Sequence, residues 1–470
     1  HDGKTPENGN YAYKVASEWK NFIGSSGEGN QYLQSDASGY VTWKDETNEA
    51  RLAEFAKKAL TYATSTTAAI ENAVTRNAPA TTGAATTTVE FDDIALGYYL
   101  VESSTGALCS LTTTNNQVSI TEKNGVPSVE KKVQEDSKAA GAADEYGDTN
   151  TADIGQTVHF KTTITAQAGA VNYVLHDTMS EGLTFSGESS VKVQLTTSTE
   201  TRDVNTAEYT VKSSGLSDNC TFEIEFKESL CDTLKANDKL IVTYTATLNE
   251  KASIGATPGN TNETKLTYGN NKETEKSTTT TKTFELPVFK YTEKTARIKT
   301  GLAGAKFVLN KDSSNSAAAP IQLVSIDTPT GKTGDYYRVA KTGELGITEI
   351  TTKDSGKFTI QGLDADTYYL HETKQPDGYN ILKEPVKVVI NEKGVITVGT
   401  DATEVNEVEV LNYTGSILPS TGGRGTTILY VLGALLVLGS SVVLITKRRM
   451  KEEHPCCTGN AAVGLLHFHV

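Results

Sequence analysis

The chain is poor in the side chains that most often staple or catalyse. It holds five cysteines in 470 residues, and Cys456 and Cys457 lie beyond an apolar run near the C-terminus. At most three can serve the body, which excludes a disulfide framework. Cys220 and Cys231 read equally as a pair or as two free thiols. HExxH, GxSxG and any Cys/His pairing are missing from the body, which argues against a surface hydrolase. His159, His176 and His371 are spread along strand-like stretches without metal-ligand spacing, so no metal cluster and no cofactor is read from them, while scattered surface carboxylates leave calcium binding open. Excess positive charge is missing too: net charge is −14 with a pI near 5.1, which speaks against a nucleic-acid partner. At 37% hydrophobic content the chain is not a polytopic membrane protein. No Met, basic n-region or apolar h-region opens it, and the first segment reads as a domain truncated at its start.

What is plentiful is Thr, Val, Tyr and Gly, a balance that favours sheets. Three segments emerge. Residues 1–126 combine a helical stretch, "NEARLAEFAKKALTYATSTTAAIENAV", with strand-like "VEFDDIALGYYLVESS" and "NQVSITEKNG", an α/β-containing domain. Residues 127–282 alternate as strands do in "HFKTTITA", "NYVLHDTM" and "KLIVTYTATL". Residues 283–415 do the same in "AGAKFVLNK", "GKFTIQGL", "TYYLHETK" and "EVEVLNY". The last two read as tandem Ig-like β-sandwiches, so the fold class is mainly β. "NKETEKSTTTTKT" reads as a linker between them.

The C-terminal part, 416–450, is built differently. Residues 428–446 are almost wholly apolar and uncharged, long enough for one transmembrane helix. Lys447, Arg448 and Arg449 follow, which puts the far end in the cytoplasm. Ahead of the span stands Leu418-Pro419-Ser420-Thr421-Gly422. Pentapeptide, span and basic tail together resemble the cell-wall sorting signal of Gram-positive surface proteins. The resemblance implies that a sortase cleaves after Thr421, holds the chain as a thioester and passes it to an amine. Residues 451–470 look unrelated to such a signal and are given no function.

Inside the strands some polar residues fall on apolar faces. Lys290 shares a face with Val288, Glu372 with Tyr368 and Leu370, and Asn412 with Val408 and Val410. In the middle segment Lys131 aligns with Val129 and Val133, Asp177 with Tyr173 and Leu175, and Asn262 with Thr264 and Leu266. Glu102 aligns with Tyr98 and Leu100, and reads either as another inward acid or as a strand end turning to solvent. A desolvated lysine loses its proton and becomes a nucleophile, while a desolvated carboxylic acid keeps its own. Such an acid can polarise an Asn amide for attack by the amine. Ammonia leaves and an isopeptide bond remains, with packing supplying the effective concentration.

"YYLHETKQPDGYN" resembles the E-box of Gram-positive pilins, "VLNYTGSILPSTGG" the ending of their shaft subunits, and "DTMSEGLTF" their middle domain. The resemblance covers most of residues 85–450. It implies Cna-B-type domains with two isopeptide triads: Lys290–Asn412 promoted by Glu372, and Lys131–Asn262 promoted by Asp177. Lys132 and Asn260 remain rivals in the middle domain. It also implies a structural subunit of a covalent pilus, not an enzyme. Its partners would be pilus-specific and housekeeping sortases, further pilin subunits and peptidoglycan. The "YPKN"-like motif of shaft subunits is missing, and Lys123 in "TEKNGVPSVEKK" is the candidate linking lysine. The alternative is a wall-anchored monomeric adhesin or minor pilin that binds a host surface ligand.

Overall fold

In "KLIVTYTATL" every second residue is apolar or aromatic, and in the structure every second residue is buried. That period-two pattern, repeated along the chain, builds the sheets of a computed structural model. It describes residues 12–44 and 49–65, short stretches between 70 and 111, 126–138, 141–143, 145–167, 171–216, 218–269, 272–293, 298–414, 435–438, 440 and 442–448.

The first unit packs helix α1 (Glu49–Thr64) over a three-stranded sheet and a hairpin, Tyr98–Ser103 with Gly106–Leu111. Phe22, Ile23, Tyr32 and Leu33 form its buried centre with Ala59 of the helix.

The middle unit is a sandwich. One sheet contains β1 (Ser128–Gln134), β2 (Thr157–Thr165) and β5 (Lys239–Leu248). The facing sheet contains β3 (Val174–Met179), β4 (Phe222–Phe226) and β6 (Gly255–Tyr268). Side chains of both inner faces, among them Phe160, Ile164, Leu175, Ile224, Val242 and Leu266, fill the space between. The third unit repeats the plan. β7 (Ser277–Glu293) pairs antiparallel with β9 (Lys357–Leu363) and parallel with β11 (Val408–Leu411). Opposite stands a six-stranded sheet around β8 (Lys306–Asn310) and β10 (Thr367–Lys374).

One expectation is corrected. The Thr-rich stretch read as a linker is mostly strand: β7 is 17 residues long and pairs with β6 in one unit and β9 in the next. Threonine is β-branched and favours extended backbone, and Thr279, Thr281 and Thr283 alternate inward. Between Thr283 and Phe284 the buried phase switches from odd to even positions, beside a register shift against β9. That shift lets one strand turn opposite faces to two cores.

Residues 435–438 and 442–448 are helical with exposed apolar side chains. Among the described residues no helix is long and apolar enough to cross a membrane, and residues 428–434, 439 and 441 of the apolar run lie outside them.

Candidate functional site

In the middle unit β1 carries Lys131 on its inner face, β3 carries Asp177 and β6 carries Asn262. Lys131, Asp177 and Asn262 are each 0% exposed. Lys131 Nζ contacts Asp177 Oδ2 and the Tyr244 hydroxyl. Tyr244 donates to Asp177 Oδ2 at 2.5 Å, and Asn262 Nδ2 donates to the Tyr244 oxygen at 3.0 Å. Aromatic faces wall the amine, with Lys131 Nζ 5.0 Å from the Tyr244 ring centre and 5.5 Å from that of Phe160. Burial drives the Lys131 amine below its ordinary range despite the neighbouring Asp177. Burial also raises the Asp177 carboxyl, outweighing Lys131 and the hydrogen bonds it accepts. Both shifts favour the uncharged pair. Asp177 Oδ1 and Asn262 Oδ1 are buried without a hydrogen-bond partner.

The third unit has an equivalent cluster. Lys290 comes from β7, Glu372 from β10, and Asn412 from just past β11; they are 0%, 7% and 2% exposed. β7 and β11 run parallel with Lys290 opposite Val410, and Asn412 N donates to Tyr291 O at 3.0 Å, which brings the amide beside the amine. Lys290 Nζ contacts Asn412 Oδ1 and lies 2.9 Å from Glu372 Oε1. Asn412 Nδ2 donates to that same carboxylate oxygen at 2.9 Å, and Leu382 N donates to Glu372 Oε2 at 2.8 Å. Burial lowers the Lys290 amine, against the pull of Glu372.

The rivals in the middle unit stand apart from this chemistry. Lys132 points outward to Glu130 and Asp148. Asn260 is tied to the backbone of Ser253 and Thr281. Glu102 is exposed, so the inward-acid reading fails where the hairpin ends at the surface. Lys123 and Leu418–Gly422 lie outside the described residues. Tyr244 was missed by the sequence reading, because in "KLIVTYTATL" it alternates with apolar residues and looks like ordinary core. Cys220 and Cys231 are both free thiols.

Residues 154–272 match the family model described as Gram-positive pilin backbone subunit 2, Cna-B-like domain. Residues 288–404 match a prealbumin-like fold domain and 415–453 the LPXTG cell wall anchor motif. These are the modules of a Gram-positive pilin. The pilin modules and the anchor make this a wall-anchored, cell-surface chain. A fimbrial subunit type 1 of Actinomyces viscosus is 32% identical over 165 residues, covering 33% of this chain and 30% of that relative. The alignment thus spans less than a third of the relative's length. Among solved structures, a group B streptococcus pilus 2b backbone protein is 24% identical with a TM-score of 0.42, covering 57% of this chain and 97% of the other. The T6 backbone pilin of Streptococcus pyogenes is 18% identical with a TM-score of 0.44, covering 77% and 76%.

Proposed function

We propose that this pilin is the shaft subunit of a sortase-assembled pilus, with each of its two sandwiches closed by a Lys–Asn isopeptide bond. The observation that carries the reading is the pair of buried lysine–acid–asparagine clusters, each joining distant strands, in a chain that carries an anchoring motif at 415–453. The neutral Lys131 amine attacks Asn262 Cγ and the neutral Lys290 amine attacks Asn412 Cγ. In each case a C–N bond forms, the bond to the amide nitrogen breaks, and that nitrogen leaves as ammonia after taking up the one proton the neutral amine gives up. Asp177 and Glu372 shuttle that proton. A proton on Asp177 Oδ1 can be donated to Asn262 Oδ1, which would satisfy both orphaned oxygens and polarise the amide. Terminal rotation of the Asn412 amide gives Glu372 the same role. The reaction happens once per site, so the chain is a substrate of its own fold rather than an enzyme.

Polymerisation follows the same logic between subunits. A sortase cysteine attacks the Thr421 carbonyl, Gly422 leaves with the span, and an amine of the next subunit releases Thr421 from the thioester. Lys123, just ahead of the middle sandwich, is the proposed amine. Coexpression with a pilus sortase tests the reading. The expected outcome is a ladder of multimers that resists sodium dodecyl sulfate, lost on Thr421→Ala and collapsed on Lys123→Ala. A single wall-linked band in the unaltered chain would instead identify a monomeric adhesin.

A further inference from the structure

His176 sits on β3 directly opposite Glu223 on β4, and the turn ahead of β4 brings Asp218 and Cys220 to the same spot. One donor atom from each of the four lies within 4.8 Å of all the others. His176 Nδ1 is 3.1 Å from Asp218 Oδ2 and 3.3 Å from Glu223 Oε1, and Cys220 Sγ is 3.8 Å from Glu223 Oε1. A tetrahedral zinc site, with metal–ligand distances of about 2.0–2.3 Å, has ligand–ligand edges of about 3.3–3.8 Å. The cluster is already near those edges. We propose that His176, Asp218, Cys220 and Glu223 form a site for a divalent transition metal, of which zinc fits the donor set best.

A second observation points the same way. His176 is only 8% exposed, and its Nδ1 is enclosed without a hydrogen-bond partner, since neither carboxylate contact has hydrogen-bond geometry. The other ring nitrogen is engaged: Nε2 lies 3.1 Å from Thr267 Oγ1, which donates onward to Val174 O. With the Nε2 proton given to Thr267, the Nδ1 lone pair faces two carboxylates, which repels unless a cation stands between them. This is the outer partner a ligating imidazole needs. A divalent ion would take the Cys220 sulfur as thiolate. On binding, the Cys220 proton leaves to solvent. Lys265 Nζ, 3.8 Å from Asp218 and paired with Glu273 at 2.7 Å, would offset the negative charge that three anionic ligands leave. Borderline-soft zinc suits sulfur and imidazole together, whereas calcium and magnesium prefer oxygen alone. The histidine spacing hid the site, because three of its four ligands are not histidines.

The test uses the full chain in detergent with Cys456→Ser and Cys457→Ser, so that tail thiols do not bind metal. Titration with Co²⁺ should give a thiolate-to-cobalt charge-transfer band that Zn²⁺ displaces. Cys220→Ser should abolish the band, and His176→Ala or Glu223→Gln should weaken metal binding. Thr267→Val should lower Zn²⁺ affinity ~10–100-fold while the band persists. Thermal melts in chelator check that each variant folds. A folded parent chain with no band, or a band that survives Cys220→Ser, overturns the proposal. A parent chain whose melting temperature and bound zinc are unchanged by His176→Ala leaves only a histidine–carboxylate ion cluster and overturns it equally.

Discussion

Tyr244 is the residue whose role chemistry reveals better than pattern. Its hydroxyl contacts the amine, the acid and the amide of the middle cluster, and burial holds its own proton tightly. Tyr244→Phe removes one proton donor but keeps the packing. Freshly expressed Tyr244→Phe chain should therefore contain a larger fraction lacking the middle crosslink, by intact mass, while remaining folded. Asp177→Asn is harsher, because it leaves a wholly buried lysine without an acid. The middle crosslink should be lost, and with it a chain-restricting staple comparable to a native disulfide, a destabilisation of about 2–5 kcal/mol in denaturant unfolding. The amines, acids and amides of both clusters were legible as polar residues in apolar registers. Lys131 could not be told from Lys132 by alternation alone, since inner and outer lysines are adjacent; packing separates them. Tyr244 was not legible, because an aromatic inside a strand is ordinary until its hydroxyl is placed.

At the scale of elements, the strands were readable and their partners were not. Alternation shows which face of a strand is apolar but not where one strand stops serving one core and begins serving another. β7 does both, and the phase change at Thr283–Phe284 is the only mark of it in the sequence. Where β7 passes between units, the turn before β2 meets the turn after β9. Ile154 N donates to Gly362 O at 2.9 Å, and Asp364 N donates to Asp153 Oδ1 at 2.8 Å. Burial pushes the Asp364 carboxyl up to about 7, with Asp153 and Asp136 adding to the effect. Asp153 and Asp136 are raised by burial as well. An unfolded aspartate titrates near ~3.9. Between that value and the folded one the folded chain holds the extra proton, so stability falls as pH rises from ~4 through about 7. Thermal unfolding followed across that window should show this slope, and Asp364→Asn should flatten it. An unfolding profile equally steep in the variant would place the titration elsewhere.

For the whole molecule, the proposed staples define a path for tension. Load entering near β1 crosses from Lys131 to Asn262, follows β6 and β7 to Lys290, and crosses again to Asn412 before reaching Thr421. Only residues 263–289 then lie between staples, a stretch that extends by at most ~100 Å at ~3.3–3.6 Å per residue. Pulling a single chain between Ser128 and Thr414 should show an extension of that order. A chain lacking both acids, Asp177→Ala with Glu372→Ala, should extend about tenfold further, because residues 128–414 all unravel. The C-terminal anchor was the most legible feature of the whole, since a motif, a span and a basic tail occur in fixed order. The first unit was the least, because its strands are short and its polar residues lack a register to betray them.

The central claim is that the two buried clusters are chemically closed. The most direct test is the intact mass of the purified chain, followed by tryptic mapping. Each bond releases one ammonia, a loss of about 17 Da per site. Two losses are predicted, with branched peptides joining Lys131 to Asn262 and Lys290 to Asn412. A folded chain at its full sequence mass, with those four residues in linear peptides, would contradict the account.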